Sequence, residues 1–165
     1  LTEDILANAA TSPDIWSAFG NPSKIVCIAP PDDDSTTFIW SGFDDQQFDL
    51  SANTIPAGST INSVSVMSRC RHGGTATDLT LRLYLGANYT ESATHTLNAG
   101  WTSYADLLAR PAGGAWQLAD LATLEMRAHI TDSSYLERQI TTMYIQVDYT
   151  PPAPAAVGDM LLCMQ

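Results

Sequence analysis

The sequence predicts an all-β chain, an antiparallel sandwich of jelly-roll type with at most one or two short helices. Apolar residues in its middle recur with period two, the mark of strands with one buried face. Turn residues punctuate these runs roughly every ten positions, and no long helical run alternates with them as a parallel α/β domain would need.

Taken from the start, "LTEDILANAA" reads as a short helix or an extended arm, outside any major layer. Residues 1–29 therefore count as an N-terminal arm or first strands, 30–150 as the sandwich, and 151–165 as a spacer and tail. "PPDDDSTTFIW" then sets Asp32, Asp33 and Asp34 just before a strand-like run. A calcium loop wants several oxygens converging from one loop, a glycine for the bend and a later bidentate acid. This stretch has no such glycine, and consecutive strand residues point to opposite faces, so three adjacent carboxylates do not converge without a bulge. The run is read as a solubilising, edge-protecting turn, with calcium as its one sharp alternative.

Pro56 and Gly58 supply a tight turn ahead of "TINSVSVMSRCR", where Val64, Val66 and Cys70 share one face and Ser63, Ser65 and Arg69 the other. Gly73 and Gly74 separate this run from "DLTLRLYLG", which sends Leu79, Leu81, Leu83 and Leu85 one way and Thr80, Arg82 and Tyr84 the other. Gly86 breaks the chain again, as do Pro111, Gly113 and Gly114. In "WQLADLATL" the spacing of Leu118, Leu121 and Leu124 suits one or two helical turns. "LEMRAHI" places Leu124, Met126, Ala128 and Ile130 inside and Glu125, Arg127 and His129 outside. "TTMYIQVDYT" does the same with Met143, Ile145, Val147 and Tyr149 against Tyr144, Gln146 and Asp148.

The proline-rich "PPAP" makes a stiff spacer, and the segment after it is apolar at Val157, Met160, Leu161, Leu162, Cys163 and Met164. Such a segment is expected either to fold back on its own domain or to dock on a neighbour as an added strand. It is the expected assembly contact.

Chemistry is thinly signalled. Eighteen acidic residues against seven basic ones leave a net charge of −11, which repels phosphate and argues against nucleic acid as a partner. No segment is long and apolar enough for a membrane helix, and the opening stretch lacks the basic and apolar regions of a signal peptide. Cys27, Cys70 and Cys163 lie far apart with no zinc-ligand spacing, and Cys70 reads as a small buried apolar group. His72, His95 and His129 are scattered and read as surface residues unless the fold gathers them. No nucleophile elbow, phosphate loop or zinc-protease motif is present, so no catalytic residue and no resident cofactor are expected. Trp40, Trp101 and Trp116, with Trp16 and six tyrosines, are weighed as a sugar-stacking platform against the commoner fate of aromatic rings in a core.

The order of "PPDDDSTTFIWSG", "IPAGSTINSVSVMSRCR", "LTLRLYLGANYT", "WTSYADLLARPAGGAWQLADLATLEMRAHI" and "MYIQVDYTP" resembles small β-rich structural proteins from the virion gene clusters of tailed bacteriophages and prophages. Within it, I-P-x-G-x-x-I leads into V-x-V, and G-x-x-W-x-x-x-D-L-x-x-L-E precedes the last strands. The resemblance spans Pro30 to Pro151 and leaves out the tail. It implies a non-enzymatic virion component, most simply a capsid decoration or cement subunit whose partners are other virion proteins and copies of itself. A carbohydrate-recognition module of a tail or fibre, and a strand-donating extracellular filament subunit, are the alternatives it leaves open.

Overall fold

The computed structural model describes residues 1–14, 16–30, 36–41, 45–130 and 136–154. Among the described residues eleven strands form: β1 (Thr2–Asp14), β2 (Ser17–Phe19), β3 (Phe38–Ser41), β4 (Gln46–Leu50), β5 (Thr60–His72), β6 (Asp78–Leu85), β7 (Asn88–Glu91), β8 (His95–Thr96), β9 (Thr102–Leu108), β10 (Leu124–His129) and β11 (Arg138–Thr150). One helical turn, α1 (Lys24–Cys27), and one 3-10 turn (Leu118–Ala122) complete the described elements. The fold is an all-β antiparallel sandwich, as the alternation and turn spacing predict.

Two layers share β1. Its first half pairs with β11 (Ile5 opposite Ile145) and its second half with β4 (Ala10 opposite Phe48). Layer A holds β2, β3, β11, β5 and β9, and layer B holds β4, β10, β6 and β7, with β8 beside the start of β6. All strand pairs are antiparallel.

The strand at the N-terminus corrects the reading of that stretch as a helix or a peripheral arm. Its register with β4 shifts between Ala7 and Ala9 and again between Thr11 and Asp14. The first inserts one residue and reverses which positions face inward, and the second inserts two, so a central strand loses its period-two signature.

Elsewhere the alternation maps onto burial. Leu79, Leu81 and Leu83 from β6, Met126 and Ala128 from β10, and Phe48 from β4 meet Val64, Val66 and Cys70 from β5 and Met143, Ile145 and Val147 from β11 in one core. On β11 a register shift between Ile140 and Thr142 lets Ile140 and Met143 both face inward. Gly86, at φ 60°, turns β6 into β7 with Leu85 opposite Asn88. Gly20, at φ 78°, is required for a second reason, because a β-carbon there would collide with the Thr36 carbonyl.

The 3-10 turn sits where the leucine spacing predicts it. Asp120 accepts bonds from Arg110 Nε (2.7 Å) and Nη2 (2.9 Å) and from the Gln117 backbone N–H (2.8 Å), tying the glycine-rich loop to the turn.

The strand ends define two poles. Ser41, Gln46, His129, Arg138 and His72 gather at one pole through their pairings, and Leu50, Leu85, Leu124, Thr60 and Thr150 at the other. The described chain starts and finishes at the second pole, where Leu1 N donates to Tyr149 O (3.0 Å) and Tyr149 N to Leu1 O (2.8 Å).

Candidate functional site

Asp32, Asp33 and Asp34, and the whole apolar segment of Val157, Met160, Leu161, Leu162, Cys163 and Met164, lie outside the described residues. The tryptophans do not form one platform. Trp16 is buried, and Trp116 is half-buried with its Nε1 donating to Leu108 O (3.2 Å) towards the pole of the termini. Trp40 and Trp101 both reach the outer face of layer A at the opposite pole, next to Phe38, whose ring lies 6.0 Å from Trp101 at 60°.

Cys27 and Cys70 are both buried, and burial pushes the Cys70 thiol up to about 12. That makes Cys70 the inert core group its position suggests. The histidines do not converge on an ion, and among the described residues no three His, Cys, Asp or Glu side chains come together as a metal site. His95 instead holds both oxygens of Asp106 (2.9 and 3.0 Å), and His129 Nδ1 lies 2.8 Å from Asp45 Oδ1. Among the described residues no helix is long and apolar enough to cross a membrane.

The richest arrangement of polar chemistry is on the outer face of layer B, whose residues the sequence shows only singly. Registers bring Gln47, Arg127, Arg82 and Glu91 into one row across β4, β10, β6 and β7. A second row holds Asp49, Glu125, Tyr84 and Tyr89. Alternation puts all of these opposite the core leucines, so they share one surface.

Arg127 is the centre of it. Its Nε donates to Gln47 Oε1 (3.0 Å), its Nη2 also reaches that oxygen, and its Nη1 lies 3.4 Å from Asp45 Oδ2. Its guanidinium stacks over the Tyr84 ring, 4.1 Å from the centroid. Gln47 Nε2 donates in turn to Glu125 Oε2 (2.8 Å). Beside this, Arg82 donates to Glu91 Oε2 (2.8 Å) and lies over the Tyr89 ring at 4.4 Å, with Tyr84 and Tyr89 5.4 Å apart.

Electrostatics follow from this packing. Burial, then the negative charge of Asp49, raises the Glu125 carboxyl above its ordinary value, with Arg127 opposing. Burial would lower the Arg82 guanidinium, but Glu91 and Tyr84 outweigh it and raise it. The planes of both arginines are held by a ring below and an acceptor at the side. Two hydroxyls on this face, Thr11 Oγ1 and Thr80 Oγ1, are buried and have no partner among the described residues, Thr80 being only 2% exposed.

Side chains held this way present planar pairs of donors and acceptors next to aromatic rings. That combination suits vicinal hydroxyls, which offer a donor and an acceptor at fixed spacing, on a ring whose C–H face is apolar. The individual signals were in the sequence, since alternation already placed Arg82, Tyr84, Glu125, Arg127 and His129 outward. What the sequence lacks is the adjacency of β4, β10 and β6, which arises from pairings 39 or more positions apart.

No protein-family model matches the chain. No curated protein matches it either. Among solved structures it is similar to the Agl-KA catalytic domain (10% identity, TM-score 0.43), covering 94% of this chain and 29% of that one. It is also similar to the N-terminal cellulose-binding domain of Cellulomonas fimi beta-1,4-glucanase C (16% identity, TM-score 0.38), covering 90% of this chain and 98% of that one.

Proposed function

We propose that the protein is a non-catalytic carbohydrate-recognition sandwich of the tail or fibre kind, carried on a virion. The observation that supports this most is Arg127 held between Gln47 and Asp45 and stacked on Tyr84, at the centre of an outward-facing polar and aromatic surface. Groups already locked by their neighbours lose little rotamer freedom when a ligand arrives, which is where preorganised sites gain affinity. The virion setting rests on the order of sequence segments that resembles tailed-phage structural proteins.

The test is affinity electrophoresis through gels containing neutral soluble polysaccharides, a mixed-linkage glucan, a xylan and a mannan. At least one should retard the protein, and Arg127→Ala and Tyr84→Ala should each weaken that retardation about tenfold. Absence of retardation by all three, or variants that bind as the parent does, would sink the reading.

A decoration subunit is the second reading, and a different surface favours it. On the outer face of layer A, Leu6, Tyr144, Met67 and Ala105 form one lateral row, flanked by Leu107 at 70% exposure on the edge strand β9. If this face packs against another subunit, Met67→Asp with Leu107→Asp should abolish concentration-dependent growth in mass by light scattering. A parent protein that stays monomeric at all concentrations, alone and with its virion proteins, speaks against it.

A further inference from the structure

The seven basic residues are not distributed alike. Lys24 meets Asp14, Arg82 meets Glu91, Arg110 meets Asp120 and Arg127 meets Asp45. Arg138 is buried and donates to the carbonyls of Asp78 (2.8 Å) and Leu136 (2.6 Å). Unlike Lys24, Arg82, Arg110 and Arg127, Arg69 and Arg71 have no carboxylate partner among the described residues, although the chain carries eighteen acidic side chains. They are two positions apart on β5 and so project from the same outer face of layer A.

The surroundings of this pair are built. Arg71 Nε donates to Gln139 Oε1 (2.6 Å), and its guanidinium lies 4.5 Å from the Trp101 ring centroid and 5.9 Å from that of Phe38. Phe38 stacks on Phe19 at 4.8 Å and 19°. Phe19 remains 53% exposed and Trp40, opposite Gln139, 39% exposed. Arg69 Nε and Trp101 Nε1 are buried with no partner among the described residues. Two cations, one of them held in plane by Gln139 and Trp101, thus sit beside exposed aromatic surface, at the pole away from the termini.

We propose that this corner of layer A is a second binding site, one for an acidic saccharide. A uronic-acid carboxylate would take the forked donors of Arg71 and Arg69, while the C–H face of the sugar ring lies on Phe19 and Trp40. The charge complementarity is local. The Glu137 carboxylate accepts from Gln139 Nε2 and is thereby held on the far side of that amide from Arg71, and at physiological salt charges more than a Debye length of about 8 Å away are largely screened.

The experiment titrates the protein with polygalacturonate, against a neutral galactan of similar length and against poly-glutamate. Polygalacturonate should bind best, more weakly as salt rises, and Arg71→Ala and Phe19→Ala should each lower affinity about tenfold. Arg71→Lys, which keeps the charge but not the fork, should recover only part of it. Arg127→Ala on layer B should leave this binding unchanged, so loss of one site is distinguishable from loss of the other. Phe19 is exposed enough for its variant to fold, and unfolding midpoints confirm this for each protein. Equal binding of the galactan, equal binding of poly-glutamate, or unaltered affinity in both Arg71→Ala and Phe19→Ala would each overturn the proposal, poly-glutamate by showing that the partner is an acidic peptide.

Discussion

Glu125 separates binding from stability at the scale of one side chain. Its carboxyl is raised chiefly by burial, so the folded state holds its proton more tightly than the unfolded chain does. The sign follows: its ionised form costs stability above the raised value, and that cost is gone below the ordinary 4.5. Glu125→Gln removes the charge and keeps the shape, and near neutral pH it should change stability by less than about 0.5 kcal/mol or increase it. Urea unfolding checks this, with the difference from the parent vanishing as the pH falls through 4.5. Saccharide binding on layer B should fall all the same, since the amide replaces an acceptor. A stability loss of several kcal/mol would instead make Glu125 a structural residue.

At the scale of elements, the two layers are closed along one side by β8 and β9. His95 on β8, which pairs with β6 of layer B, bonds both carboxylate oxygens of Asp106 on β9 of layer A, and its ring lies 4.1 Å from that of Tyr104. Both partners are mostly buried. Asp106→Asn should cost about 1–2 kcal/mol in urea unfolding and should speed hydrogen exchange first at Leu97, whose backbone N–H donates to Thr77 O (2.8 Å). Exchange that speeds up uniformly over the domain would show that the pair does not act as a local latch.

Elements differ in how far the sequence betrayed them. β6 is legible because nothing interrupts Leu79, Leu81 and Leu83, each of which is buried. The 3-10 turn is legible from its leucines. β1 is not, because its first bulge changes phase where it passes between layers, and its inward positions include Ala7, a weak apolar signal. β8 has two residues, too few for any pattern. The candidate site shows the same limit from another side: strand alternation gives each residue its face, while only long-range pairing tells which faces meet.

For the whole molecule, the pairing of β1 with β11 brings the described ends together, with Leu1 and Tyr149 sharing two backbone bonds. A permutant that joins Thr150 to Leu1 by a short glycine-serine linker and opens the chain between Gly113 and Gly114 should therefore fold. The cut falls in an exposed turn where a β-carbon on Gly113 or Gly114 would meet nothing within 4 Å. Its unfolding free energy should lie within about 2 kcal/mol of the parent. A permutant that fails to fold would mean that the order of strand addition along the chain, and not the final pairing, decides the outcome.

The same shared pole has a consequence for reach. Gln139 and Tyr149 are ten positions apart on β11, so the corner of Arg71 and Phe19 stands roughly 30 Å from the point where the described chain leaves. Copies fastened to a surface by that pole would hold their opposite corners outward like the tips of bristles, all at one height. A contact of millimolar strength at each tip then becomes tight when many tips meet one polymer, because every contact after the first is made at the high effective concentration set by the spacing of the array.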